Sequence, residues 1–267
     1  MDSNVWQRGI TPADINEQCL RLCADYLGGV WLKLTADDID VKIISAGIHS
    51  LEVPIKRNPK WIFRYYDHFY RLATDRFDIN SMFNEYNLET LKAHDIYREM
   101  QWTERLVTKD HDFPIAFAHN DMSAANLMVT ESDGIVVCDY EYSCIGYRGY
   151  DFGTLLLWWD RNGDSREPHA FPDDPSVRPL VDAYIRESIQ LNGIQWATDA
   201  RNSAQSLLRE MKVFTLVSYL FYVLYYLSFN EWRSDLPFNK KISMDGTESW
   251  YKNYHKLKKQ FIENNEI

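Results

Sequence analysis

The chain has no excess of basic residues: 29 Lys and Arg stand against 39 Asp and Glu, a formal net charge of −10 at pH 7. Nucleic-acid binding needs a basic footprint, so that class of partner is excluded. Cysteine is scarce, with four residues (Cys19, Cys23, Cys138 and Cys144) in 267. That usage fits a reduced, cytoplasmic protein. Cys19 and Cys23 are four apart on an expected helix, but no histidine or second cysteine pair accompanies them. They read as small buried residues rather than zinc ligands. The polar stretch Met1 to Gly9 lacks the apolar core of a signal peptide. No uninterrupted apolar run is long enough to span a bilayer. Val213 to Phe229 comes nearest, but Thr215, Ser218, four tyrosines and Ser228 interrupt it, so it reads as a helix buried in a core. Internal repeats and low-complexity runs are also missing. These absences leave a soluble globular protein.

Hydrophobic residues make up 45% of the chain and aromatic residues 15%, enough for a substantial core in one large domain or two small ones. Thr11-Pro12-Ala13-Asp14 has the form of a capped helix start, with the helix running to Tyr26 and ending at Gly28-Gly29. Alternation from Asp40 to Ser45 predicts a strand. Apolar spacing predicts helices over Trp61 to Phe77 and Leu88 to Val107. Phe113 to Ala118 reads as a strand, and Asn126 to Thr130 with Gly134 to Cys138 as a hairpin turning at Glu131-Ser132-Asp133-Gly134. Asp151 to Asp160 is expected to be helical and Arg161 to Pro175 a polar connection. Helices over Arg178 to Leu191, Asp199 to Phe229 and Glu248 to Ile262 complete a fold that is α+β and mainly helical.

The residues that carry chemistry sit around the hairpin. His119-Asn120-Asp121 is followed five residues on by Asn126, and Asp139 ends the second hairpin strand. Phosphoryl transfer needs a carboxylate to take the acceptor's proton and oxygen ligands to hold magnesium, and the catalytic loop of protein kinases spaces its Asp and Asn in this way. The hairpin would bring Asn126 and Asp139 to adjacent strand ends. Two protein oxygens suffice for magnesium when phosphates supply the rest. His119 reads as fixing the loop by hydrogen bonding. Arg148 and Asp151, three apart, are expected to form a local ion pair that shapes the loop. Glu141 is placed to reach a metal-bound water or to bond backbone amides.

Asp139-Tyr140-Glu141-Tyr142-Ser143, with Tyr147-Arg148-Gly149-Tyr150-Asp151, resembles the signature of choline/ethanolamine kinases. Leu27-Gly28-Gly29-Val30-Trp31, the stretch Ile48 to Ile55 and Trp61 resemble that family as well. The resemblance implies a protein-kinase-like C-terminal lobe with a remnant N-terminal lobe, divided as 1–47 and 48–267. It implies transfer of the terminal phosphoryl group of ATP, with Mg2+, to choline or ethanolamine. That is the first step of phosphatidylcholine and phosphatidylethanolamine synthesis. Asp121 and His119 would then be catalytic and Asn126 and Asp139 metal-binding. Arg148 and Asp151 belong to the structural motif. Glu141, Tyr142, Trp158, Tyr222, Tyr225 and Phe238 would face the substrate, the aromatic rings attracting its ammonium group. A homodimer, or a heterodimer with a full-length relative, is left open. So is a non-catalytic regulatory role; an aminoglycoside-type phosphotransferase shares the His-x-Asp loop, but the runs Asp139 to Ser143 and Tyr147 to Asp151 argue against it.

Besides Tyr222 and Tyr225, which stand where the family typically has tryptophans, the chain departs from the family pattern in three places. Val41 to Gly47 resembles the start of the nucleotide loop but runs directly into Ile48, so the strands, basic phosphate contact and acidic partner that would intervene are absent. The join suggests an alternatively spliced product or an incomplete coding sequence. Lys56 in Val53-Pro54-Ile55-Lys56 does not replace the lost contact, because Pro54 removes a donor from the strand such a lysine needs. Trp158 occupies the family's acidic substrate position, followed by Trp159, and Gly146 stands where the family usually has Asn, which suggests a more flexible loop.

Overall fold

The computed structural model describes residues 16–17, 20–21, 33–38, 59–76, 78–110, 112–129, 134–159, 171–228 and 240–267. The chain divides into two compact units, Met1–Glu52 and Val53–Ile267. In the first, residues 16–17 and 20–21 are helical, in agreement with the expected N-terminal helix at those positions. Asn16 donates from Nδ2 to the Ala36 carbonyl at 3.3 Å, beside a 3-10 turn at Ala36–Asp38. The expected strand from Asp40 to Ser45, the Gly47-Ile48 join and Lys56 lie outside the described residues.

The second unit opens with α1 (Trp61–Arg76), α2 (Ile79–Glu85), α3 (Glu89–Ala93) and α4 (Ile96–Arg105). The single helix expected over Leu88 to Val107 is two. His94 is extended, and Asp95 starts a new helix by accepting from Arg98 N at 3.2 Å. α2 lies outside the helices that apolar spacing predicts. Its signal is short: Asp78 caps seven residues by accepting from Ser81 N at 3.1 Å. Four short strands follow: β1 (Ile115–Ala118), β2 (Leu127–Val129), β3 (Ile135–Val137) and β4 (Cys144–Tyr147). β2 and β3 form the expected antiparallel hairpin, with Met128 opposite Val136. β4 is absent from the elements that sequence patterning predicts. It pairs antiparallel with β1, Ala118 opposite Cys144, across a sequence separation that local patterning does not report.

The remaining elements are α5 (Gly149–Leu157), α6 (Asp174–Asn192), α7 (Ala204–Ser228) and α8 (Lys240–Glu263). α6 begins four residues before the expected start because Asp173 accepts from Ser176 N at 2.9 Å and Pro175 suits a first turn. α7 begins later than expected, since Ala200–Asn202 forms a 3-10 turn in front of it. Beyond Lys212 α7 has no charged residue and is buried on nearly all sides, with α5, α8, α1 and α6 packed around the helix. It is the one described helix long and apolar enough to cross a membrane, and 89% of its apolar window is buried inside the protein. It is therefore a core helix. Val177 and Val181 of α6 meet Phe152 and Leu156 of α5 and Leu207 and Met211 of α7 in one buried cluster.

Two glycines four apart let α5 approach α7. A β-carbon at Gly153 would stand 2.3 Å from the backbone carbon and oxygen of Phe214, and one at Gly149 2.2 Å from the Phe214 ring. The ring can turn, but the backbone cannot give way without moving the helix. Gly153→Ala should therefore destabilise the fold by about 1–3 kcal/mol despite alanine's better helix propensity. Urea unfolding would measure it, and an unchanged midpoint would show that the two helices can slide apart freely.

α8 also closes over α3 and α4. Glu248 accepts from Thr90 N at 2.6 Å and Leu91 N at 3.1 Å, capping α3 from outside its own sequence. The His255 ring stacks on His94 at 3.8 Å. Burial, then the neighbouring His94, lowers the His255 pKa from 6.5 to about 4. The unfolded chain thus binds this proton more readily than the folded one. The stability contributed is fully present above pH 6.5 and drains away as pH falls towards about 4. His255→Phe, which keeps a ring on His94, should flatten that part of the urea-midpoint profile. An equally steep profile in the variant would assign the acid sensitivity elsewhere.

Candidate active site

The strand β1 ends at Ala118 and delivers His119-Asn120-Asp121 to a loop held from both sides. From α5, the Asp151 carboxylate accepts from His119 N at 2.8 Å and from Asn120 N at 2.7 Å. Burial pushes the Asp151 carboxyl up, and these two backbone donors oppose that shift. From the β3 end, the His119 ring meets the Cys138 carbonyl through Nε2 at 2.8 Å, while its Nδ1 accepts from Asp121 N at 3.2 Å. Both imidazole nitrogens are occupied by backbone partners. The ring lies edge-on to Tyr140 at 5.0 Å.

Asn126 Nδ2 donates to Asp121 Oδ2 at 2.8 Å and to the Asp121 carbonyl at 2.8 Å. The amide nitrogen is thus spent on Asp121, and the amide oxygen is the ligand atom that Asn126 can offer. Cys138 N donates to the Asn126 carbonyl at 3.0 Å, so Asp139 follows directly from a residue bonded to Asn126. Asn120 (φ 67°) and Asp139 (φ 64°) both adopt the left-handed conformation. Asn and Asp tolerate it better than other residues with side chains, and it turns the chain sharply at the two ends of the site.

Burial raises the Asp121 pKa, with the hydrogen bond from Asn126 opposing it and the Asp139 and Glu141 charges adding to it. Asp139 and Glu141 are therefore within electrostatic reach of Asp121. Among the described residues there is no group of three or more His, Cys, Asp or Glu set to hold a metal ion. An amide oxygen from Asn126 and a carboxylate from Asp139 are nonetheless the hard oxygen donors that magnesium takes, and a cation there would relieve the repulsion among the carboxylates.

Arg148 and Asp151 do not pair with each other. Asp151 turns back to the loop, whereas Arg148 reaches α7. Its Nη2 meets Glu210 Oε2 at 2.5 Å, its Nε meets Glu210 Oε1 at 3.2 Å, and its Nη1 donates to Asn202 Oδ1 at 2.7 Å. Residues 148 and 151 open the same helix but face different neighbours, so spacing alone misassigned the contact. Gly146, expected to loosen a loop, lies in β4 opposite Ala116.

The aromatic residues separate into two groups. Tyr222 stacks on Trp250 at 5.3 Å and meets Trp158 edge-on at 5.7 Å. Burial and then the Asp121 charge raise its phenol pKa, so this ring stands within electrostatic reach of Asp121. Tyr225 is 6.4 Å from Tyr222 and packs against Phe69 at 5.5 Å. Trp159, by contrast, packs on the cluster between α5, α6 and α7. Tyr142 is half-buried, its carbonyl accepting from Asn120 Nδ2 at 2.9 Å. Glu141 is exposed and hydrogen-bonds the Tyr142 phenol. Phe238 lies outside the described residues. Trp250 was not singled out in the sequence, although its spacing with Tyr254, Leu257 and Phe261 on the last helix marks it as inward-facing.

The family model for choline/ethanolamine kinase matches residues 32–257. The chain belongs to the choline/ethanolamine kinase family. A human protein described as choline/ethanolamine kinase is 24% identical over 191 residues, covering 67% of this chain and 47% of that protein. A probable choline kinase of Arabidopsis thaliana is 24% identical over 205 residues, covering 72% of this chain and 55% of its own length. The chain thus spans about half the length of the curated relatives it matches. Its fold resembles the crystal structure of choline kinase from Cryptosporidium parvum, with a TM-score of 0.58 and 17% identity over 84% of this chain and 63% of the other. It also resembles an ethanolamine kinase of Plasmodium vivax, with a TM-score of 0.52 and 20% identity over 76% of this chain and 50% of the other. The fold is accordingly kinase-like and mainly helical.

Proposed function

We propose that this member of the choline/ethanolamine kinase family transfers the terminal phosphoryl group of ATP to the hydroxyl of choline or ethanolamine in the cytoplasm, at the head of phospholipid synthesis. The observation that carries the reading is the direct hydrogen bond between Asn126 and Asp121, with Asp139 brought alongside through the Cys138–Asn126 bond. Asp121 would orient the alcohol and receive its proton. His119 would hold the loop rather than move a proton, since both its ring nitrogens are already engaged. Asn126 and Asp139 would hold Mg2+, which when bound neutralises phosphate charge. Tyr222, Trp158 and Tyr225 would receive the amine, with Glu141 and Tyr142 at the margin, and Phe238 is assigned to the substrate by family resemblance alone. Residues 1–47 would be the remnant of the nucleotide lobe and 48–267 the catalytic and substrate lobe. Such catalysis rests on positioning and electrostatic stabilisation, so the arrangement of these few groups carries most of the rate.

The test is magnesium-dependent phosphate transfer from ATP to choline and to ethanolamine by the purified protein. Turnover is expected with at least one of the two, and the better acceptor names the substrate. A folded protein that transfers nothing, alone or mixed with a full-length relative, would overturn the catalytic reading in favour of a binding or regulatory role.

A further inference from the structure

The loop that carries Asp121 grips the segment that carries Asp139 at two points. His119 Nε2 meets the Cys138 carbonyl at 2.8 Å, one residue before Asp139. Asn120 Nδ2 donates to the Tyr142 carbonyl at 2.9 Å, three residues after it. Consecutive loop residues thus hold two carbonyls four residues apart, with Asp139 and Glu141 on the arch between them. The arch is closed on itself, since Ser143 N donates to the Tyr140 carbonyl at 3.0 Å. Asn120 is 6% exposed, and its Nδ2 also lies 3.2 Å from the Ala118 carbonyl and 3.4 Å from Cys144 Sγ. Its Oδ1 accepts no hydrogen bond among the described residues. An unserved buried acceptor is costly, so the benefit of this side chain lies in its nitrogen. From the backbone, Asn120 N donates to Asp151 Oδ1 at 2.7 Å, which anchors the residue to α5.

We infer that Asn120 is a positioning residue: its amide nitrogen is the second hold of a clamp that fixes the Asp139 arch, and with it the metal-binding carboxylate, relative to Asp121. The catalytic consequence rests on Asp121 and Asp139 acting as proposed, but the clamp stands without it. With the Tyr142 carbonyl released, the arch would keep Cys138 at one end. At the other it would have only the longer contact of Ser143 Oγ to the His119 carbonyl, at 3.4 Å, before β4 begins. His119 cannot compensate, because both its ring nitrogens are engaged. Tyr222, Tyr225 and Trp158 stand on α7 and at the end of α5 rather than on the arch, so the amine contacts would be spared.

Two measurements decide it, on two variants. Asn120→Gly removes the nitrogen and keeps the positive φ without strain. Asn120→Asp keeps the shape, tolerates the same φ and adds no backbone freedom, but its ionised carboxylate has no donor. In both, amide hydrogen exchange across Asp139 to Ser143 should quicken about fivefold and stay unchanged in α7, as for a local opening that loses one hydrogen bond. Unchanged exchange in the arch, or an equal rise throughout the protein, would overturn the clamp whether or not the protein turns over. In the transfer assay, Asn120→Gly should lower kcat about tenfold and raise the Mg2+ concentration needed for half-maximal rate, with KM for the amino alcohol little changed. Wild-type kcat and Mg2+ dependence in that variant, or a loss confined to KM, would overturn the positioning role. A wild-type protein without turnover would fail the proposed function while leaving the exchange result to decide the clamp.

Discussion

Replacing Asp121 with asparagine is expected to lower kcat/KM for the amino alcohol by about 10²- to 10⁴-fold, the usual contribution of a positioned general base. The substitution keeps shape and keeps an oxygen that can accept from Asn126 Nδ2, now 2.8 Å from Asp121 Oδ2. It removes only the proton acceptor and the charge. Stability should not fall with activity. Burial raises the Asp121 pKa, aided by the charges of Asp139 and Glu141, so the folded state disfavours the ionised carboxylate. That penalty is absent below the unfolded pKa of 3.8 and fully in force once pH exceeds the raised folded value, so at neutral pH the amide relieves it. The expected result is a variant at least as resistant to urea as the parent and nearly inactive. Full activity in the variant would remove Asp121 from the reaction, and loss of the fold would assign it a structural role.

Arg148→Ala should have the largest effect on the fold, about 3–5 kcal/mol, as for other buried ion pairs broken on one side. Arg148 and Glu210 are 6% and 1% exposed, with the guanidinium 2.5 Å from the carboxylate. Burial holds the Glu210 carboxyl above its ordinary range, against the pull of Arg148. Without the guanidinium, the carboxylate would remain buried and unpaired or take up a proton. The bonds to Asn202 Oδ1 at 2.7 Å and to the Arg201 carbonyl at 3.2 Å would be lost with it. Removing both charges, as Arg148→Met with Glu210→Leu, should return much of the stability, since no charge is then stranded. Equal losses in the single and double variants would mean that the packing of the arginine stem, rather than the charge pair, carries the effect.

The consequence reaches the active site because the same junction carries Asp151. Arg148 N donates to the Pro114 carbonyl at 3.1 Å, at the entrance to β1, and one turn later Asp151 holds the other end of that strand through His119 N and Asn120 N. A loosened Arg148 would therefore disturb the loop that presents Asp121. Activity in Arg148→Ala should fall together with stability, unlike in Asp121→Asn, where the two separate.

Read alone, the sequence determined the features that depend on neighbours along the chain. Apolar spacing located α1 within a residue of its end, the Asp-Gly turn located the β2–β3 hairpin, and the spacing from Asp121 to Asn126 and Asp139 named three residues that the fold brings together. The interruption of Val213 to Phe229 by tyrosines marked α7 as a core helix, and 89% of its apolar window is indeed buried. Tertiary structure decided whatever needs two distant segments. β4 is a strand only because β1 lies beside it, and α3 is capped by Glu248 from α8. Arg148 passes over the carboxylate three residues away for one on α7, because a helix turn points its members at different neighbours and burial rewards the partner that can be fully enclosed. The close approach at Gly153 has no local signature at all. It arises from the distance between packed segments, which no spacing along a chain encodes.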